Sequence, residues 1–257
     1  MCKRGTGNGE WGTGNSEDAL AENRKIEHLA VIMDGNGRWA KKHHLPRLAG
    51  HRAGAECLDR TMHWCKEAGI SYLTVYAFST ENWKRSKGEV AGLMKLLSHF
   101  IKVKEKELIK NGIAFRVIGR REDLSPKLQK EIAALEEKTK GGDFTLVVAL
   151  SYGGRDEIVR AAKVFNAEAQ KGGENLEEAF ASCLDTAGIP DPDLIVRTSG
   201  ELRISNFLLW QAAYAAFYFT NVLWPDFDKA EFDKAIASFS KRERRMGGRK
   251  GEGEGEG

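Results

Sequence analysis

"FTLVVAL", residues 144–150, is apolar at every position but Thr145 and shows no polar alternation. A strand with one wet face alternates. A strand covered on both faces does not, and continuous apolar runs are the mark of a parallel sheet with helices on either side. The same character recurs at Leu29–Met33 and, between Asp193 and Arg197, at Leu194–Val196. Strands are predicted at 28–33, 72–77, 113–118, 144–150 and 193–197, with a short one near 217–219. Helices are predicted at 51–68, 88–110, 126–139, 154–171, 174–186, 206–213 and 229–240. The alternation gives an α/β fold, a single domain with a mostly parallel central sheet flanked by helices. No internal repeat or linker divides it. Residues 1–24 read as a disordered N-terminal tail, 25–246 as the folded domain, and the low-complexity "GGRKGEGEGEG" at 247–257 as a disordered C-terminal tail.

Across 257 residues, 40 basic side chains stand against 37 acidic ones, a net charge of +3. That balance excludes strong global attraction to nucleic acid, so any anion site must be local. Cys2, Cys57, Cys65 and Cys183 have no metal-ligand spacing. Cys57 and Cys65 are roughly 12 Å apart on a helix, too far to bridge, and reduced thiols suit a cytoplasmic protein. No apolar stretch approaches the roughly 20 residues of a membrane span, and the N-terminus lacks a signal-peptide core. A soluble protein is expected, which can still act on a lipid.

In parallel α/β sheets, ligands bind outside the carboxyl ends of the strands. The segments that follow the predicted strands are "DGNGR" (34–38), "FSTENWKR" (78–85), "SYGGRDE" (151–157) and "RTSGELRIS" (197–205). Polar, glycine-rich and arginine-bearing loops therefore gather at one edge. In "DGNGRWAKK", Gly35 and Gly37 permit close backbone approach to an anion, and Arg38 adds a charged donor. Asp34 suits a divalent cation, Mg²⁺ by default, between carboxylate and phosphate. A plain strand-ending turn fits these residues as well. Arg47, His51 and Arg52 begin the next helix, either as phosphate donors or as a solvated face. Ser79, Thr80 and Glu81 fit an ordinary helix cap, which does not require Trp83 and Arg85. Arg197, Arg203 and Ser205 can grip a diphosphate by forked hydrogen bonds, or form a surface charge cluster. Arg38, Arg47, Arg85, Arg197 and Arg203, against few acids, suffice for two diphosphates. The stripe Val90, Leu93, Met94, Leu97, Phe100, Ile101 and Leu108 suits either core packing or the lining of a tunnel.

The stretches "HLAVIMDGNGRWAKK", "AGHRAG", "LTVYAFSTENWKR", "YGGR", "DLIVRTSGELRISNFLLWQ", "VLWPDF" and "RERRMGG" resemble, in order, the signatures of the cis-prenyltransferase family, bacterial undecaprenyl diphosphate synthase type. The resemblance covers about residues 25–247. It implies a hydrophobic tunnel, a homodimer, transient membrane association for product release, and a Mg²⁺-dependent reaction. Isopentenyl diphosphate is added repeatedly to an allylic diphosphate such as farnesyl diphosphate, with new cis double bonds. The product would be undecaprenyl diphosphate, the lipid carrier for peptidoglycan precursors. By resemblance, Asp34 is the catalytic metal ligand. Gly35, Asn36, Gly37, Arg38, Trp39, Arg47 and His51 surround the allylic diphosphate, and Ser79, Thr80, Glu81, Trp83 and Arg85 contact substrate. Asn82 matches the family's catalytic proton acceptor; a neutral amide is a weak base, so its expected role is to position water or diphosphate instead. Arg197, Arg203, Ile204 and Ser205 hold isopentenyl diphosphate.

Two positions depart from the family. Ala216 stands where the family usually has a metal-supporting glutamate, which implies weaker Mg²⁺ binding and slower turnover. Leu202 stands where close relatives often have histidine. The alternative is a catalytically weakened homologue that binds prenyl diphosphates as a partner or scaffold. A generic phosphatase would need a nucleophile or base at the strand ends that the chain does not show there.

Overall fold

Six strands form one sheet, and every strand pair in it is parallel. In the computed structural model, which describes residues 25–168 and 175–240, they are β1 (His28–Ile32), β2 (Tyr72–Ser79), β3 (Ile113–Ile118), β4 (Phe144–Tyr152), β5 (Leu194–Arg197) and β6 (Ala216–Phe219). The order is β3-β4-β2-β1-β5-β6. Helices are α1 (Asn36–Lys42), α2 (Arg47–Glu67), α3 (Lys87–Lys110), α4 (Pro126–Lys138), α5 (Gly154–Glu168), α6 (Leu176–Ala181) and α7 (Lys229–Ser240). Both expected tails, the "RERRMGG" motif, Cys2, and the outer ends of the helices expected at 154–171 and 174–186 lie outside the described residues.

The apolar strands are buried on both sides. Leu146, Val148 and Leu150 of β4 enter one core with α2, α3 and α4, while Val147 and Ala149 enter a second core on the opposite face. In β1, Leu29 and Val31 belong to the first and Ala30 and Ile32 to the second. Cys57 and Cys65 are free and buried, and burial pushes the Cys57 thiol up to about 12.

Several expected boundaries are corrected. Helix α2 begins at Arg47, four residues early, because Pro46 sets its N-cap. Helix α6 is far shorter than the expected 174–186, and β2 runs on to Ser79. The helix expected at 206–213 is a series of turns. Ser205, Asn206 and Leu208 adopt left-handed backbone angles (φ 49°, 65° and 44°) that a right-handed helix excludes. Asn206 is engaged elsewhere: its carbonyl accepts from Gly154 N–H (2.7 Å) and its Oδ1 from Arg155 N–H (2.9 Å).

At the amino end of the sheet, His28 is 1% exposed, with Nδ1 2.6 Å from the Pro190 carbonyl and Nε2 2.7 Å from Thr74 Oγ1. Burial lowers its pKa from 6.5 to about 4. Above pH 6.5 the imidazole is neutral in both folded and unfolded chains, so its contribution is intact. Below 6.5 the unfolded chain takes up a proton that the folded chain refuses until about 4. Stability should therefore fall by roughly 3 kcal/mol across that window. Urea midpoints between pH 7.5 and 4.5 check this; His28→Asn should be less stable at neutral pH and have a flatter profile.

Candidate active site

Sheet topology reverses at β1, which pairs with β2 on one side and β5 on the other. Such switch points open a crevice at the carboxyl ends of the strands, and Asp34 lies in it. The Thr198 hydroxyl accepts from Asp34 N–H (3.0 Å) and donates to its carbonyl (2.7 Å), and Trp224 N–H donates to the same carbonyl (3.0 Å). Gly35 follows at φ 104°, where an added Cβ would stand 2.9 Å from Leu223 Cδ2. This close, left-handed passage needs glycine.

The Asp34 carboxylate lies between two arginines. Its Oδ2 is 3.0 Å from Arg197 Nη2 and its Oδ1 is 3.2 Å from Arg38 Nη2. Arg197 is 5% exposed and also donates to Ser205 Oγ (2.7 Å) and the Arg203 carbonyl. Arg203 points outward and pairs with Glu201 (2.5 Å). On the other side of the crevice, Glu89 of α3 receives Arg85 (2.8 Å) and Arg47 (3.2 Å), with His51 Nε2 at 3.9 Å. Burial, reinforced by Arg85 and Arg47 against the opposing pull of Glu89, lowers the His51 pKa to about 4, so the ring is neutral at pH 7. Five arginines thus share three carboxylates, Asp34, Glu89 and Glu201.

Two hollows meet here. A cavity of about 730 Å³ has a polar mouth of Asp34, Asn82, Arg85, Arg197, Arg203 and Ser205, and runs inward between β2, α2 and α3 over Leu58, Leu93, Leu97, Phe100 and Leu150. A basic hollow of about 650 Å³ adjoins it, lined by Gly35, Gly37, Arg38, Lys41 and Arg47. Asp34, Asn36, His51 and Arg85 border both. Among the described residues, six buried side-chain polar atoms lack a hydrogen bond, and four of them belong to this edge: Asn36 Oδ1, His51 Nε2, Arg197 Nε and Ser199 Oγ. Buried polar groups normally have partners. Such a cluster suits a polar ligand.

The family model described as "Putative undecaprenyl diphosphate synthase" matches residues 32–247. The chain belongs to this family. An isoprenyl transferase of Fusobacterium nucleatum is 55% identical over 224 residues, covering 86% of this chain and 96% of that protein. One of Thermotoga maritima is 52% identical over 225 residues, covering 86% and 97%. Among solved structures, lavandulyl diphosphate synthase from Lavandula x intermedia, in complex with dimethylallyl diphosphate, aligns with TM-score 0.82 at 35% identity over 87% of this chain and 99% of its own. A Campylobacter jejuni protein described as a "probable undecaprenyl diphosphate synthase" aligns at 0.75 with 38% identity, covering 88% and 100%. Prenyltransferase activity is what the family and these relatives support.

Within this undecaprenyl diphosphate synthase family site, most residues expected from the sequence converge. Four do not line either hollow. Trp39 donates its indole N–H to Asp226 Oδ1 (2.6 Å) and packs on His43, pinning α1. Thr80 faces Gly153, Ile204 packs into the second core, and Trp83 donates to Ser151 Oγ (2.8 Å). Asn82 does line the cavity, yet its Oδ1 accepts from Ser79 N–H (3.1 Å) as a cap of the turn 80–84. Arg52 is exposed on α2. Glu89 was missed from sequence, although "SKGE" (86–89) carries the signal: Ser86 caps α3 and the acid three residues on turns to the crevice.

Position 216 is also relocated. Ala216 pairs with Leu194 at the amino end of β6, whereas Arg197 pairs with Phe219. At about 3.3 Å per residue, 216 lies roughly 10 Å along the strand from the level of Arg197. The fold of a single chain does not bring it to Asp34. Among the described residues no group of three or more His, Cys, Asp or Glu side chains could hold a metal. The donors fit Mg²⁺ only as an ion shared between Asp34, diphosphate oxygens and water, a usual arrangement for this cation. No helix among the described residues is long and apolar enough to cross a membrane.

Proposed function

We propose that this chain catalyses Mg²⁺-dependent, sequential cis-condensation of isopentenyl diphosphate onto farnesyl diphosphate, giving undecaprenyl diphosphate. One observation carries the reading: a crevice of shared arginines opens into an apolar cavity, which suits a diphosphate head on a hydrocarbon tail. In the reaction the C3–C4 double bond of isopentenyl diphosphate attacks C1 of the allylic substrate. The C1–O bond breaks, diphosphate leaves, and loss of a C2 proton forms the new double bond. Arg38, Arg47 and neutral His51 would grip the allylic diphosphate, and Arg197, Arg203 and Ser205 the other. Asp34 would hold Mg²⁺, which neutralises charge on the departing diphosphate. Asn82 would orient that diphosphate or a water to receive the proton. Leu93, Leu97 and Phe100 would shelter the growing chain.

Homodimer formation is part of this proposal. Strand β6 is the sheet's last strand, its segment "AFYF" is half-buried, and Tyr214 just before it is 70% exposed. An open apolar edge of this kind favours association. A carboxylate placed at 216 would then meet a metal only across such an interface. The weaker Mg²⁺ binding implied by Ala216 is tested by titrating activity against Mg²⁺ in wild type and Ala216→Glu; superimposable curves refute it.

Incubation with farnesyl diphosphate, radiolabelled isopentenyl diphosphate and Mg²⁺, followed by mass analysis of the lipid, tests the whole reading. Labelled long-chain product is expected. Tight binding without product would instead favour the scaffold alternative.

If Glu89 fills the cation cradle that diphosphate must enter, Glu89→Gln should tighten binding of inorganic pyrophosphate. About fivefold is expected, equivalent to about 1 kcal/mol for a part-exposed ion pair. Calorimetric titration checks this, and weaker binding in the variant would make Glu89 a supporting ligand instead.

A further inference from the structure

The turn Thr80–Lys84 carries Asn82 to the cavity mouth and leads directly to Arg85, yet Trp83 between them points away from both hollows. Its indole N–H donates to Ser151 Oγ (2.8 Å), and the Ser151 hydroxyl donates to Asp123 Oδ2 (2.6 Å). The indole also meets Phe78, a cavity-lining residue, edge-on at 4.9 Å. Ser151 is fully buried and left-handed (φ 49°), a conformation disfavoured for residues with a Cβ. Its hydroxyl both accepts and donates, while its carbonyl accepts from Arg120 N–H (3.1 Å). Asp123 is exposed, in the turn Arg121–Asp123 after β3, and lines neither hollow.

We propose that Asp123 and Ser151 are positioning residues that clamp Trp83, fixing the turn that presents Asn82 and Arg85 to the substrate diphosphate. The site's grip is thereby set from the β3–α4 connection, outside the crevice. The effect on substrate rests on the prenyl diphosphate reading above; the clamp itself does not.

Two readouts test it. In ¹⁵N spectra, the Trp83 indole signal is assigned by its loss in Trp83→Phe. Asp123→Ala should speed its solvent exchange about tenfold, the worth of one hydrogen bond, and Asp123→Asn, which keeps an acceptor oxygen, should restore it. In kinetics, Asp123→Ala should raise KM for farnesyl diphosphate about tenfold with kcat within threefold. In a Trp83→Phe background the same substitution should add nothing, because coupled residues are not additive. An unaltered indole signal in Asp123→Ala, or effects on KM that multiply, would overturn the proposal. A wild-type chain that neither binds nor elongates farnesyl diphosphate would overturn the functional reading, and the indole exchange would still decide the clamp.

Discussion

Asp34→Ala should lower kcat about a thousandfold, roughly 4 kcal/mol in the barrier, and leave the chain folded. The geometry separates this from a loss of affinity. Among the described residues Asp34 is the only carboxylate that borders both hollows, and its two oxygens face Arg197 and Arg38. Without it, both arginines lose a competing anion, so inorganic pyrophosphate should bind as well or better. On the proposed reaction, what would disappear is the anchor for a cation on the departing diphosphate, an interaction that would strengthen as charge develops and therefore act on kcat. Asp34→Asn keeps the shape but not the charge and should be about as slow. The side chain is 30% exposed, so the screened ion pairs cost about 1 kcal/mol of stability and Tm should drop by only a few degrees. A kcat within tenfold of wild type, or a matching loss of pyrophosphate affinity, would remove Asp34 from the chemistry.

The apolar runs of β1 and β4 were legible because burial on both faces leaves no room for alternation, and the strand-end rule then located the crevice. Residues 206–213 misled for a physical reason. "NFLLWQAA" has the apolar content of a buried helix, but Asn206 is bound to the start of α5, and that contact is absent from local sequence. Trp39 and Trp83 looked like substrate contacts because they sit among the motif residues. Their indoles instead reach Asp226 and Ser151, partners 187 and 68 positions away. The charge count was also incomplete. The arginines are not free cations awaiting phosphate, since Glu89 and Glu201 approach them only once α3 and the 201–205 loop are folded. Position 216 shows the same limit: its residue type was readable, but its distance from Asp34 depends on the β5–β6 register.

Gly50→Ala should be the most damaging single-methyl change in the molecule's site region. Gly50 and Gly54 lie one turn apart on α2, and Asn36 at the start of α1 rests on both. A Cβ at 50 would stand 2.0 Å from the Asn36 carbonyl oxygen and 2.9 Å from its carbonyl carbon. Those are backbone atoms, so no side-chain rotation relieves the clash, and α1 must move away from α2. Asn36 is only two residues from Asp34, whose placement depends on the bonds to Thr198 and Trp224. Overpacking of this kind costs about 3 kcal/mol, which for a domain of this size lowers Tm by roughly 10 °C. Gly88→Ala, near the start of α3 with nothing within 4 Å of the added methyl, is the matched control. It should hold or slightly raise Tm, since alanine is the better helix former. If α1 yields instead of the whole fold, the loss appears as a raised KM at a smaller cost in Tm. Retention of both Tm and KM by Gly50→Ala would mean that the α1–α2 contact does not hold the Asp34 loop in place.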